Sequence, residues 1–444
     1  IYIIKKKYII IIKNIDINEI MGRLAERIKA SVSPYHTTEY ALNELKESGF
    51  KELAFDEEWK LESGGRYVAR LYGSSLAAFT IGEGWNGTGF RLAAAHTDFP
   101  CIKLKPSSQI IENNYVKCNV DVYGGAILNT WLDRPLSAAG RVVLESDSAI
   151  KPVTRLVNLA RPLFIIPNLA IHMNRDVNKG VELNRQKDML PLMCTVPEDN
   201  NGNIILSLIA SELETCTDKI LGYDLCLYPV EEPLLLGANN SLFSAGRLDN
   251  LTSVQACISA IISGMCNDSL DIVMLYDSEE VGSSTKQGAG SVITRSVIER
   301  IYENMGLDRE MFWCGLAASE GLSVDVAHAI HPNCPEKSDI TNKIYMNKGF
   351  AIKTAINERY ASDLEVLGSL IQICSKEGIP FQRYVNRSDI AGGSTLGAVA
   401  VVNLPIKMLD IGVPVLAMHS SRETMGVYDQ YYLEKAVQSF FLSK

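Results

Sequence analysis

The spacing of apolar residues changes along the chain, and each change predicts a different kind of structure. Residues 21–53 read as helical with a break at Ser33-Pro34. A helix is expected from about Thr37 to Ser48, with Tyr40, Leu42 and Leu45 as its apolar face and Gly49 as its end. Tyr67–Tyr72, Leu76–Thr80 and Arg91–Ala95 then have the composition of strands. Between 105 and about 235, short β-prone runs (Tyr115–Val122, Gly140–Leu144, Ile204–Ile209, Asp224–Val230) alternate with Gly, Pro and Asn clusters, which predicts a β-rich insertion.

From Gly246 onward strands and helices alternate. Leu251, Val254, Ile258, Ile261 and Met265 are spaced for one helix face, and Ile272–Tyr276 is a continuous apolar run, as in a strand buried on both faces. A helix through Val292, Val297 and Ile301, a strand at Phe312–Ala317, a helix over Glu358–Ser375 and a strand at Val413–Met418 are expected to follow. The fold class predicted is α/β, with a mostly parallel sheet flanked by helices. Residues 21–104 and 236–444 would form one discontinuous unit, interrupted by the β-rich segment 105–235, with residues 1–20 as an extension. Ile1–Ile12 is apolar but broken by Lys5-Lys6-Lys7, and reads as a frayed or strand-like tail. It is too short for the ~20 residues that span a bilayer, and it lacks the pattern of a signal peptide.

Composition narrows the classes of function. With 444 residues, two or three domains are expected. The 43 basic and 52 acidic residues give a net charge of −9 with no basic stripe, so neither nucleic acid nor a membrane is an expected partner. The ten cysteines include no Cys-x-x-Cys pair, and several lie within apolar runs, which points to reduced thiols and a cytoplasmic protein.

Of six histidines, two close apolar runs: Leu92-Ala93-Ala94-Ala95-His96 and Val415-Leu416-Ala417-Met418-His419. Ligands of open α/β sheets bind at the carboxyl ends of strands, which would aim both imidazoles into one crevice. Asp98, two residues beyond His96, would share its face and fix its tautomer. Asp277-Ser278-Glu279-Glu280 follows the buried strand, and Gly282 permits the turn that two adjacent acids need to reach one site. Asp249 stands at the start of a helix and Asp325 lies between apolar neighbours. Each has an ordinary alternative: a packed histidine, a solvated acidic loop, an aspartate complementing a helix dipole. Together, however, four carboxylates and two imidazoles in one cleft would repel one another unless divalent cations neutralise them. Two metals with one bridging aspartate account for every group. The donor set suits zinc, with manganese or cobalt as alternatives.

These residues also sit in an ordered series of motifs. Ala95-His96-Thr97-Asp98, Gly246-Arg247-Leu248-Asp249-Asn250, Glu279-Glu280-Val281-Gly282-Ser283, Ser323-Val324-Asp325 and Met418-His419-Ser420 resemble the aspartyl aminopeptidases of metallopeptidase family 18. So do Tyr123-Gly124-Gly125, Trp131-Leu132-Asp133-Arg134-Pro135-Leu136, Asn168-Leu169-Ala170-Ile171-His172 and Gly392-Gly393-Ser394-Thr395-Leu396-Gly397, in the family's order from about residue 33 to the end. The resemblance implies that Asp249 bridges two zinc ions, with His96 and Asp325 completing one site and Glu280 and His419 the other. Glu279 would be the general base acting on a metal-bridging water, and Asp98 would orient His96. The expected activity is removal of an N-terminal residue, preferentially Asp or Glu, from peptides.

The resemblance further implies a β-rich dimerisation domain and a tetrahedral dodecamer. It also implies a partner-donated His172 in the active site and a Lys353 that binds the acidic side chain. A surface lysine on a strand is an equally good reading of Lys353 from the residues themselves. Phe99 stands where the family usually has Ser, which predicts a change in the pocket wall. Two other readings use the same chemistry or fold: a deacylase or carboxypeptidase, and a catalytically silent assembly or cargo-binding protein. The filled ligand and base positions argue against the silent one.

Overall fold

The computed structural model describes residues 17–196, 202–390 and 392–443. The tail expected over Ile1–Ile12 lies outside them, but the first helix among the described residues, Ile17–Ala30, begins within the predicted extension and buries Ile20 and Met21.

Three sheets organise these residues. The largest has nine strands in the order Lys51–Leu53, Arg66–Leu71, Ser75–Ile81, Leu270–Tyr276, Arg91–His96, Glu320–Val324, Lys407–Gly412, Phe350–Lys353 and Phe381–Tyr384. Its four central strands, Leu270–Tyr276 through Lys407–Gly412, run parallel. Antiparallel pairing appears toward either edge.

Strand periodicity explains why this centre reads as unbroken hydrophobicity. Successive side chains point to opposite faces, and helices cover both. Ala93, Ala95, Val273 and Leu275 face a core shared with Leu24, Leu42, Val254, Leu370 and Val437, from five helices. Leu92, Ala94, Ile272, Met274 and Tyr276 face the opposite core, with Val297, Ile301 and Leu316. Of the face expected of the helix Leu248–Ser263, Leu251, Val254, Ile258 and Ile261 are fully buried in the first of these cores, whereas Met265 lies beyond the helix end and is half-buried.

A second, antiparallel sheet is made of Val153–Asn158, Leu136–Leu144, Ile220–Pro229, Cys101–Glu112, Tyr115–Tyr123 and Leu192–Thr195, and has its own core around Phe99, Trp131, Val142 and Leu225. A third sheet of five short strands, Leu234–Leu236, Leu242–Ala245, Glu423–Gly426, Pro414–Leu416 and Ala327–His328, lies beside the carboxyl ends of the central strands, two of which lead directly into it.

Several expected elements differ from those found. Ile204–Ile209 is part of a helix, Ile204–Glu212, because Asn203 caps it by accepting hydrogen bonds from the N–H groups of Ile205 and Leu206. Phe312–Ala317 lies in the helix Arg309–Ala318, capped by Asp308, and the strand begins only at Glu320. The helix expected from Glu358 starts at Leu364, after the capping Asp363. Finally, Val413–Met418 yields only Pro414–Leu416, in the third sheet, while the central strand is the preceding segment Lys407–Gly412. Among the described residues no helix is long and apolar enough to cross a membrane.

Candidate metal centre

The carboxyl ends of three central parallel strands deliver most of the site. Arg91–His96 ends on His96, Leu270–Tyr276 leads into Glu279 and Glu280, and Glu320–Val324 leads into Asp325. After Tyr276 the chain turns through Ser278 (φ 67°) into a short 3-10 segment, Glu279–Val281, and leaves through Gly282 (φ 95°). Left-handed backbone on both sides of the acidic pair is what lets neighbouring carboxylates enter one cleft. Asp249 comes from the turn at the start of Leu248–Ser263, following Arg247 (φ 63°). His419 reaches the cleft from the loop after Pro414–Leu416, with φ of 68°, rather than from the end of a central strand as expected.

Asp249 stands between the two imidazoles and turns a different oxygen to each. Its Oδ1 is 3.3 Å from His96 Nε2, and its Oδ2 is 3.3 Å from His419 Nε2. Asp325 joins the His96 side (Oδ1 to Nε2, 3.7 Å), and Glu280 joins the His419 side (Oε2 to Nε2, 3.4 Å). His96, Asp249 and Glu280 each offer a donor atom within 4.8 Å of the others. Asp249 Oδ1 and Glu280 Oε1 are buried with no hydrogen-bond partner. Orphaned buried acceptors are costly, and a cation beside them removes the cost, so the residues present fit a divalent metal.

The electrostatics follow from crowding. Burial pushes Glu279 up to about 8, with the charges of Asp325, Asp98 and Asp249 adding to the rise and His96 opposing it. Glu280 is raised well above the usual carboxylate range by burial and by Asp249. Burial would lower His96, but its contacts with Asp249, Asp325 and Asp98 outweigh that and raise it well above 6.5. His419 follows the same pattern and reaches about 10, through Asp249 and Glu280. Asp249 and Asp325 move the other way. Burial would raise them, but the imidazoles hold Asp249 low, and Lys353 with His96 does so for Asp325. Without metal, then, protons hold the cluster together.

Asp98 is fully buried, and its role is broader than expected. His96 Nδ1 lies 3.0 Å from the Asp98 backbone carbonyl and 3.4 Å from its carboxylate Oδ1. The carboxylate accepts the N–H groups of Glu279 and Glu280, both at 3.1 Å, and the Tyr123 hydroxyl at 2.7 Å. Asp98 therefore holds the acidic turn in place as well as facing His96.

Lys353 is only 2% exposed, contrary to the surface reading. Its Nζ donates to Asp325 Oδ2 at 3.2 Å and to the Val326 carbonyl at 3.1 Å. It lines the same cleft of about 450 Å³ as the six charged groups above, together with His328, Tyr360 and Tyr384. His172 does not line that cleft. It is exposed in the loop between Phe164 and Leu192, among the exposed apolar Leu169, Ile171 and Met173. Phe99 is buried in the core of the six-stranded sheet with the Arg247 guanidinium 5.6 Å from its ring, and lines an adjoining cavity with Asp249, His419 and Glu423. The Ser-to-Phe departure thus falls on the wall of a cavity that shares Asp249 and His419 with the cleft, and it removes no candidate ligand. Sequence reasoning missed Glu423, which is 1% exposed behind the site and accepts the backbone N–H groups of both Asp249 and His419.

Imidazoles and carboxylates gathered at the strand ends of a helix-covered sheet define a metal-dependent hydrolase on an α/β frame. The model of the aminopeptidase I zinc metalloproteases (M18) matches residues 27–441, and the chain belongs to that family. It is therefore an aminopeptidase of the zinc metalloprotease type. A probable M18 family aminopeptidase 2 of Clostridium acetobutylicum is 41% identical over 426 residues, covering 95% of this chain and 98% of that protein. Among solved structures, the complex of Ape4 with Nbr1 is similar at a TM-score of 0.92 and 32% identity, covering 96% of this chain and 86% of that one. The S. cerevisiae mApe1 dodecamer is similar at a TM-score of 0.83 and 25% identity, covering 95% of each chain.

Proposed function

We propose that this aminopeptidase holds two zinc ions and removes N-terminal Asp or Glu from peptides. The observation that carries the two-ion reading is the Asp249 carboxylate, with one oxygen toward His96 and the other toward His419. His96 and Asp325 would hold one ion, Glu280 and His419 the other, and Asp249 both. When bound, the ions supply Lewis acidity, polarising the scissile carbonyl and lowering the pKa of water. Glu279 accepts the proton of the attacking water and returns it to the departing amine. Asp98 fixes the backbone of Glu279 and Glu280, so the base and a ligand are placed by one carboxylate.

Lys353 is the cation offered to an acidic first residue. An ammonium has three donors, and two of them already serve Asp325 and the Val326 carbonyl, which leaves one for substrate. Lys353→Met is expected to lower kcat/KM for Asp- and Glu-peptides about 10- to 100-fold more than for Ala-peptides, the value of a charge-assisted hydrogen bond. Equal losses across the three substrates would instead assign Lys353 to holding Asp325.

His172 would act in a neighbouring subunit. The exposed Leu169, Ile171 and Met173 around it form the kind of apolar surface that an interface covers, and the similar mApe1 is a dodecamer. His172→Phe should weaken activity while metal content stays unchanged. Mixed oligomers of His172→Phe and Glu279→Gln chains should be more active than either parent, because an intact Glu279 and a donated His172 then meet in some sites. No gain on mixing would place His172 outside its partner's site. A cytoplasmic location is supported by ten free cysteines.

A further inference from the structure

Glu423 opens the strand Glu423–Gly426, and its pairing with Ala245 places it beside the turn that leads to Asp249. The two segments approach closely: a Cβ on Gly246 would come within 2.7 Å of the Ser421 carbonyl oxygen. Glu423 Oε2 accepts the Asp249 N–H at 3.0 Å, and Oε1 accepts the His419 N–H at 2.9 Å. We propose that Glu423 is a positioning residue that fixes His419 relative to Asp249 by holding both backbones on one carboxylate. This rests on the two-metal reading.

Three observations lead there. Arg247 and His419 occupy the left-handed region, with φ of 63° and 68°. Non-glycine residues stay there only when surrounding contacts hold them. A buried carboxylate so close to Asp249 is otherwise unfavourable. Lastly, a carboxylate is the one side-chain group of this size with two oxygens that accept and no hydrogen that donates. Glutamine has the same shape but would accept one N–H and oppose the other with its own NH2.

Glu423 thus acts on the metal centre through its ligands. It braces the bridging residue against a ligand of the second ion.

Glu423→Gln and Glu423→Asp should be compared with the wild type in zinc affinity by chelator competition, in kcat and KM, and in unfolding of the metal-free protein. The expected result is a 10- to 100-fold rise in the dissociation constant of at least one zinc ion in Glu423→Gln, the usual effect of removing a group that orients a ligand. Excess zinc should restore part of the lost kcat, and KM should change less than kcat. Glu423→Asp, which keeps two acceptors on a shorter stem, should fall between the wild type and Glu423→Gln. Wild-type zinc affinity in both variants overturns the proposal. So does a loss of metal-free stability with zinc affinity unchanged in the folded fraction, since that is a purely structural role. A wild-type stoichiometry other than two zinc ions per chain overturns the two-metal reading itself, whatever the Glu423 variants do.

Discussion

Glu279→Gln is expected to keep its fold and its metal while kcat falls about 10²- to 10⁴-fold, the usual contribution of a positioned general base. Glutamine preserves the shape of the side chain and the backbone hydrogen bond to Asp98, so the acidic turn stays in place. What it loses is a group that can take a proton and give it back. Burial and the surrounding acids already push Glu279 up to about 8 in the metal-free cleft, so its proton affinity lies near neutral pH. Metal ions nearby will pull it down again. Steady-state kinetics together with metal analysis check the prediction. Turnover within a factor of two of wild type would remove Glu279 from the base role, whereas metal loss would make it a ligand.

The second large effect concerns the metal-free protein, which should become less stable as pH rises from about 5 toward 10. Glu279 is raised from 4.5 to about 8 in the fold. The folded state therefore holds a proton that the unfolded state has released, and stability falls as pH rises through that window. His419 is raised from 6.5 to about 10. Its contribution is complete below 6.5 and disappears as pH climbs toward 10. Asp249 and Asp325 are held below 3.8, so their contributions are lost only in strong acid.

Each tenfold change in proton affinity is worth about 1.4 kcal/mol, so the slope should be visible in unfolding curves at several pH values. Zinc replaces these protons, so its binding should release them and tighten with pH. At free zinc of 1,000 times Kd each ion adds about 4 kcal/mol. Metal-free stability that rises between pH 6 and 9 would contradict the proton-held cluster.

Much of this site was legible in the sequence because strand ends announce themselves. His96 and Asp277-Ser278-Glu279-Glu280 each follow an apolar run, and both runs are central parallel strands that end at the cleft. The tight turn between the adjacent acids was signalled by Gly282, although half of it is made by Ser278, which no composition rule would select. His419 was placed in the right cleft by the wrong route. Val413–Met418 looks like a core strand, but the chain leaves the large sheet at Gly412 and the histidine arrives from a smaller one.

Short apolar runs were the weakest signals. Ile204–Ile209 has a β-branched start that suits a strand, and only the capping Asn203 identifies the helix. Asp308 does the same for the run at Phe312. Glu423 escaped notice because Ser420-Ser421-Arg422-Glu423 reads as a polar loop, and its burial depends on two distant segments meeting around it. Burial also separates the surface reading of Lys353 from its contact with Asp325, and a residue's solvation is set by tertiary structure alone. His172 does not line the cleft of its own chain, so the fold of one chain gives it no place in the site.

The converging acids and imidazoles are proposed to form a zinc-dependent site that releases an acidic N-terminal residue. The most direct test is metal-stripped protein reconstituted with zinc and assayed on matched peptides beginning with Asp, Glu, Ala and N-acetyl-Asp. The expected result is no turnover without metal and recovery with zinc, with faster release of Asp and Glu than of Ala and no cleavage of the blocked peptide. Full activity in the stripped protein, or zinc-loaded protein that leaves Asp- and Glu-peptides intact, would contradict it.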